Sequence, residues 1–104
     1  MLPTIGRIVL YTLSATDAEK INKRLKDAQL AMSQHRTASN GVMVHVGNSV
    51  EEGNQFPMII TKVWGSDESS AFNGQVMLDA NHTFWASSTA IGDGPGRCAW
   101  PPRV

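Results

Sequence analysis

The segment from Gly74 to Trp85, Gly-Gln-Val-Met-Leu-Asp-Ala-Asn-His-Thr-Phe-Trp, leaves this chain few options. It reads as strand, tight turn, strand. Gln75–Leu78 is an extended run, and Thr83–Ser88 is its return. Asp79-Ala-Asn-His82 supplies the turn, with Asn81 suited to a left-handed conformation. A polar, aromatic-rich hairpin is a large part of a 104-residue chain, so the rest must be built around a sheet.

Other strands are legible on both sides of it. Ile5–Leu13 is rich in β-branched and aromatic residues, and Gly6 near its start suggests a bulge or bend. Phe56–Trp64 is the strongest strand. Strict alternation places Met58, Ile60, Lys62 and Trp64 on one face and Ile59, Thr61 and Val63 on the other. Pro57 restricts that strand to an edge, or the proline to the strand's beginning. Val42, Val44 and Val46 alternate as a further short candidate, with turns at Gly47-Asn48 and Gly53-Asn54. Arg97–Trp100 adds a short last strand inside a Gly/Pro-rich tail, residues 92–104.

One helix interrupts this pattern. Ser14 with Asp17, or Thr16 with Glu19, forms a capping box. Behind it Ala18, Ile21, Leu25, Ala28 and Met32 recur at three and four, an apolar stripe over about 17–32. Asn22, Lys23 and Arg24 fall on the solvated side, with Arg24 at the stripe's edge. The expectation is a single α+β domain over 1–104. It has a small curled or barrel-like antiparallel sheet of five to six strands, packed against one amphipathic helix that follows the first strand.

Composition narrows the function. Nine basic residues balance nine acidic ones, which disfavours a nonspecific nucleic-acid binder and favours self-association into a homo-oligomer. Cys98 is alone, so no intrachain disulfide forms. The first residues, Met-Leu-Pro-Thr-Ile-Gly-Arg, do not read as a secretory signal, and no run approaches a membrane span. A cytoplasmic location and no membrane partner are expected.

Chemistry-bearing patterns are sparse. His35, His45, His82 and Cys98 have no metal-ligand spacing, so neither metal nor cofactor is expected. Cys98 beside Trp100 reads as a small buried hydrophobe rather than a nucleophile, and no complete enzyme site is visible. Gly92-Asp-Gly-Pro-Gly96 is a loop whose backbone donors could approach an anion, with Arg97 and Arg103 flanking the tail. Phe72, Phe84, Trp64, Trp85 and Trp100 crowd the second half. Phe84 and Trp85 are adjacent on a strand, so one of them lies on the outer face. There it serves an interface or stacks on a ligand.

Gly47-Asn48, Gly53, Phe56-Pro-Met, Val63-Trp-Gly65, Asn73-Gly-Gln-Val, Leu78-Asp-Ala-Asn81 and Trp100-Pro-Pro-Arg103 together resemble small accessory proteins of tailed phages and prophages. In outline the chain is similar to the anti-Thoeris sponge proteins, small oligomers that hold a cyclic ADP-ribose-type signal or, in some members, cyclic oligonucleotides. That resemblance implies a non-enzymatic protein sequestering an anionic nucleotide of the host cell. It implies ligand contacts from Arg24, Asn81, Phe84 and Arg103, with Trp85 as a stacking partner. Arg97, beside the glycine loop, completes the candidate set. Two other readings stand beside it: a phage structural or host-interaction protein using exposed aromatics at a protein interface, and a small barrel binding nucleic acid.

Overall fold

A computed structural model describes residues 1–35, 49–79 and 82–102, with side chains described throughout these except at 29–35. Strand β1 (Ile8–Thr12) leads into helix α1 (Ala15–His35). Strands β2 (Gln55–Val63), β3 (Phe72–Met77), β4 (Thr83–Thr89) and β5 (Cys98–Ala99) follow. They form one antiparallel sheet in the order β4-β3-β2-β1-β5, which does not close. The α+β arrangement expected from the sequence is the one observed, with five strands among the described residues. The candidate strand at Val42–Val46 lies outside them.

The helix starts earlier than the apolar stripe alone predicts. The Ser14 Oγ accepts the Asp17 N–H at 3.1 Å, and Asp17 Oδ2 accepts the Ser14 N–H at 3.0 Å. This reciprocal box makes Ser14 the N-cap and brings the first turn forward to Ala15; the last turn runs to His35. Thr16 and Glu19 are then ordinary helical positions. Asp17 Oδ2 also accepts the Tyr11 hydroxyl at 2.6 Å, so one carboxylate caps the helix and fastens it to β1. Ala18, Ile21 and Leu25 are buried in the same cluster as Val9, Tyr11, Met58, Ile60 and Val76. The helix therefore covers the sheet's inner face.

β2 corrects the alternation read from sequence. Met58 and Ile60 point into the core, but Val63, not Lys62 or Trp64, packs against it next. The register explains the change. Ile60 pairs with Gly74 and Lys62 with Asn73, so Thr61 is an extra residue on β2. A one-residue bulge inverts every side chain beyond it. Lys62 and Trp64 consequently share the outer face, where the Lys62 ammonium stands 4.8 Å from the Trp64 ring centre.

Pro57 is the third residue of the central strand, near its beginning. Ile60 donates to Arg7 and accepts from Gly6. By two-residue alternation, Pro57 therefore turns its missing donor away from β1, toward Met77 at the end of β3.

A second bulge faces the first. Phe72 pairs with Thr89 and Gly74 with Ala86, so β4 also carries one extra residue beside Asn73. Ser88 absorbs it in a left-handed conformation, φ 54°. Asn73 Oδ1 accepts the displaced Ser88 N–H at 2.8 Å and the Trp64 indole N–H at 3.2 Å. Extra residues on both neighbours of one position bend the sheet strongly. The bend carries the end of β4 round to β5: Thr89 Oγ1 donates to the Gly96 carbonyl at 2.7 Å, and Ile91 forms a lone parallel bridge with Cys98.

Candidate functional site

The β3–β4 turn and the helix meet at one corner of the molecule. The Leu78 N–H donates to the His82 carbonyl at 3.0 Å and closes the turn. β4 is an edge strand, so alternate carbonyls lack a ladder partner. Arg24 supplies one: its Nη2 donates to the Thr83 carbonyl. Arg24 is exposed, and its five-donor fork stands at the mouth of the hairpin. The register pairs Thr83 with Met77.

Met77 borders a recess of about 440 Å³ lined also by Ser49, Val50, Phe56, Leu78 and Asp79. Phe56, Leu78 and Val50 form its apolar wall, and Asp79 and Ser49 its polar rim. Val50 is held there by Asn22. The Asn22 side chain accepts the Val50 N–H and donates to the Val50 carbonyl, both at 2.8 Å. Asn22, expected on the solvated face, instead has an amide that imitates a strand neighbour and fixes one wall of the recess. Its only sequence signal is an amide one residue beyond Ile21 on the helix. The recess residues Phe56 and Val50 were likewise missed, because nothing in their local pattern says that β2 and the 49–54 segment converge. The turn at Gly53 does follow expectation. Gly53 is left-handed, φ 87°, and its N–H donates to the Leu13 carbonyl at 2.9 Å.

Of the candidate residues, Arg24 is brought to this corner. Phe84 faces inward and packs against the core, while Trp85 stands exposed on the outer face, the division that period-two alternation requires. Arg97 is elsewhere. Its carbonyl accepts the Thr12 N–H at 3.0 Å, and it lies beside the 92–96 loop that touches Thr89 at the far end of β4. Thr83 and Thr89 are the two ends of that seven-residue strand, roughly 20 Å apart at the usual rise. Arg24 and Arg97 thus flank opposite ends of β4. Asn81 and Arg103 lie outside the described residues.

The glycine loop is largely committed to the fold. The Gly96 N–H donates to Thr12 at 2.8 Å and the Gly92 N–H to Cys98 at 2.9 Å. Left-handed Gly94 and Gly96, φ 97° and 75°, turn the chain between them. Arg7 lies over Trp100, 5.7 Å from its ring centre, which orders the strand after that turn.

Cys98 is 1% exposed. Burial pushes its thiol up to about 11 from the ordinary 9.0, against a smaller lowering by the Thr89 hydroxyl. Burial, with the Asp17 hydrogen bond and charge, also raises Tyr11 above its ordinary 10.0. An acid whose folded pKa exceeds its unfolded one stabilises the fold fully below the unfolded value and loses that contribution as pH rises through the folded value. The thiol's contribution is therefore intact below pH 9.0 and lost toward about 11. Melting temperature should fall across that window, less steeply in Cys98→Ala, and iodoacetamide should label Cys98 only after denaturation. Rapid labelling of the native protein at neutral pH would contradict this placement.

No helix among the described residues is long and apolar enough to cross a membrane. Compared with protein-family models, characterised proteins and solved structures, the chain finds no match.

Proposed function

We propose that this chain binds an anionic, nucleotide-derived signalling molecule, of the cyclic ADP-ribose or cyclic oligonucleotide type, and holds it unaltered. The observation that carries this reading is the recess at the β3–β4 corner, one of whose lining residues, Met77, pairs with the Thr83 that Arg24 holds. Its volume, about 440 Å³, falls within the range of small-molecule sites. Phe56 offers a flat apolar surface for a base, Arg24 a bidentate partner for phosphate, and the Asp79 carboxylate an acceptor for sugar hydroxyls, the role acidic residues play at ribose. The buried, protonated thiol of Cys98 is unsuited to nucleophilic attack, in keeping with sequestration rather than turnover.

Titration with cyclic ADP-ribose isomers and cyclic oligonucleotides, followed by heat release and mass analysis, tests it. At least one should bind and return with its mass unchanged. Arg24→Ala should weaken that binding about 10- to 100-fold, the usual effect of losing a charged hydrogen bond. Failure of every compound to bind, or recovery of a chemically altered one, would overturn the proposal. A second reading, a protein-interaction module, is favoured by Trp64 and Trp85, both 58% exposed.

A further inference from the structure

Over Pro57–Ile60, β2 is apolar on both faces. Met58 and Ile60 fill the core, while Pro57 and Ile59 point outward. Sheets that turn one face to water alternate apolar with polar residues; strands apolar on both sides are those covered on both sides. The inner face has α1. On the outer face the register aligns Trp85, Gln75, Ile59 and Ile8 across β4, β3, β2 and β1 in one row. Pro57, Leu10 and Ala99 form the next, and exposed Met77 stands two residues beyond Gln75 on β3. Trp64 borders them and is held rigid. Its indole N–H is bonded to buried Asn73, and Lys62 lies over its ring.

We infer that this outer face packs against the same face of a second copy of the chain, forming a two-fold dimer. Trp64, Trp85, Ile8, Met77 and Ile59 are exposed by 58, 58, 53, 41 and 38%. With aromatic side chains presenting about 150–250 Å² when whole, these five alone offer on the order of 500 Å². A standard interface takes roughly 800 Å² from each partner, and the intervening Leu10, Pro57 and Gln75 supply much of the difference. The chain's formal net charge is zero, so two copies meet without net repulsion. Two twisted antiparallel sheets stack with their strands about 30° apart, inner side chains interdigitating. Trp64, already ordered, loses little entropy on burial and acts as an anchor. This inference shares Met77 with the messenger-binding recess, but its test residue, Ile59, does not line that recess.

Native mass spectrometry and light scattering from 1 to 100 µM test it, with tryptophan emission followed on dilution. A dimer is expected, its emission moving to the red as Trp64 and Trp85 become wet. Ile59→Glu should give a monomer with unchanged circular dichroism. Should that variant fail to fold, Ile59→Thr, which suits a strand, should raise the dimer dissociation constant at least tenfold. A monomeric wild type at 100 µM would overturn the inference, as would an oligomer indifferent to both substitutions or one sustained only by a different protein.

Discussion

Gly74→Val lowers the melting temperature by about 15 °C. Strand propensity alone predicts the opposite sign, since valine suits a strand and glycine weakens one. Space decides the matter. A Cβ at Gly74 would lie 2.6 Å from the Ile59 carbonyl oxygen and 2.7 Å from both Met58 Cγ and Cε. The methionine tip can move; the backbone oxygen of the central strand cannot without breaking the ladder. Overpacking of this kind costs about 3 kcal/mol, which for a domain of this size is the stated shift. Gly74→Ala should fall between the two. Thermal melts by circular dichroism decide it, and a melting temperature at or above wild type for Gly74→Val would show that the strands do not approach as described.

Asn73→Ala is expected to cost about 2 kcal/mol, from a single polar side chain. Asn73 is 8% exposed, and its one carbonyl oxygen serves both Ser88 and Trp64. Removing it leaves the Ser88 amide without an acceptor where a bulge has already taken it out of the ladder, and leaving such a donor unmet costs about 1–3 kcal/mol. The Trp64 indole is released at the same time. Trp64→Phe removes only the second bond and should cost about 1 kcal/mol or less. Denaturant melts of both single variants and of the double variant form a cycle with a nonzero coupling term. Additive single costs would show that Asn73 does not tie Trp64 to the bend.

These two neighbouring residues show where sequence reading succeeds and where it stops. The helix was legible because its signals are local. Ser14 and Asp17 are three apart, and Ala18, Ile21 and Leu25 repeat at the helical period. The outward turn of Trp85 beside Phe84 was legible for the same reason. The placing of Lys62 and Trp64 on one face with Met58 and Ile60 failed because the extra residue at Thr61 is defined only against Asn73 on β3, twelve positions away. Alternation carries no mark of such an insertion. Asn22 was misread for a related cause: its partner, Val50, is 28 residues distant, and an amide facing water and an amide clasping a backbone look alike in sequence.

The candidate site divides along the same line. Arg24 could be singled out from its position at the stripe's edge, yet its acceptor Thr83 lies 59 residues on. Phe56 and Val50 gave no hint of sharing a recess. Arg97 and Arg24 were grouped by residue type, whereas the curl of the sheet places them at opposite ends of β4.

β1 receives one neighbour, β2, from the middle of the chain and the other, β5, from residues 98–99. During synthesis, then, Tyr11 must wait for Cys98, far along the chain, before its second flank is paired. Until Cys98 emerges, a nascent chain presents a bare margin of β1 that any extended segment could seize. Only the emergence of Cys98 and Ala99 lets the two-residue β5 dock and withdraw that invitation.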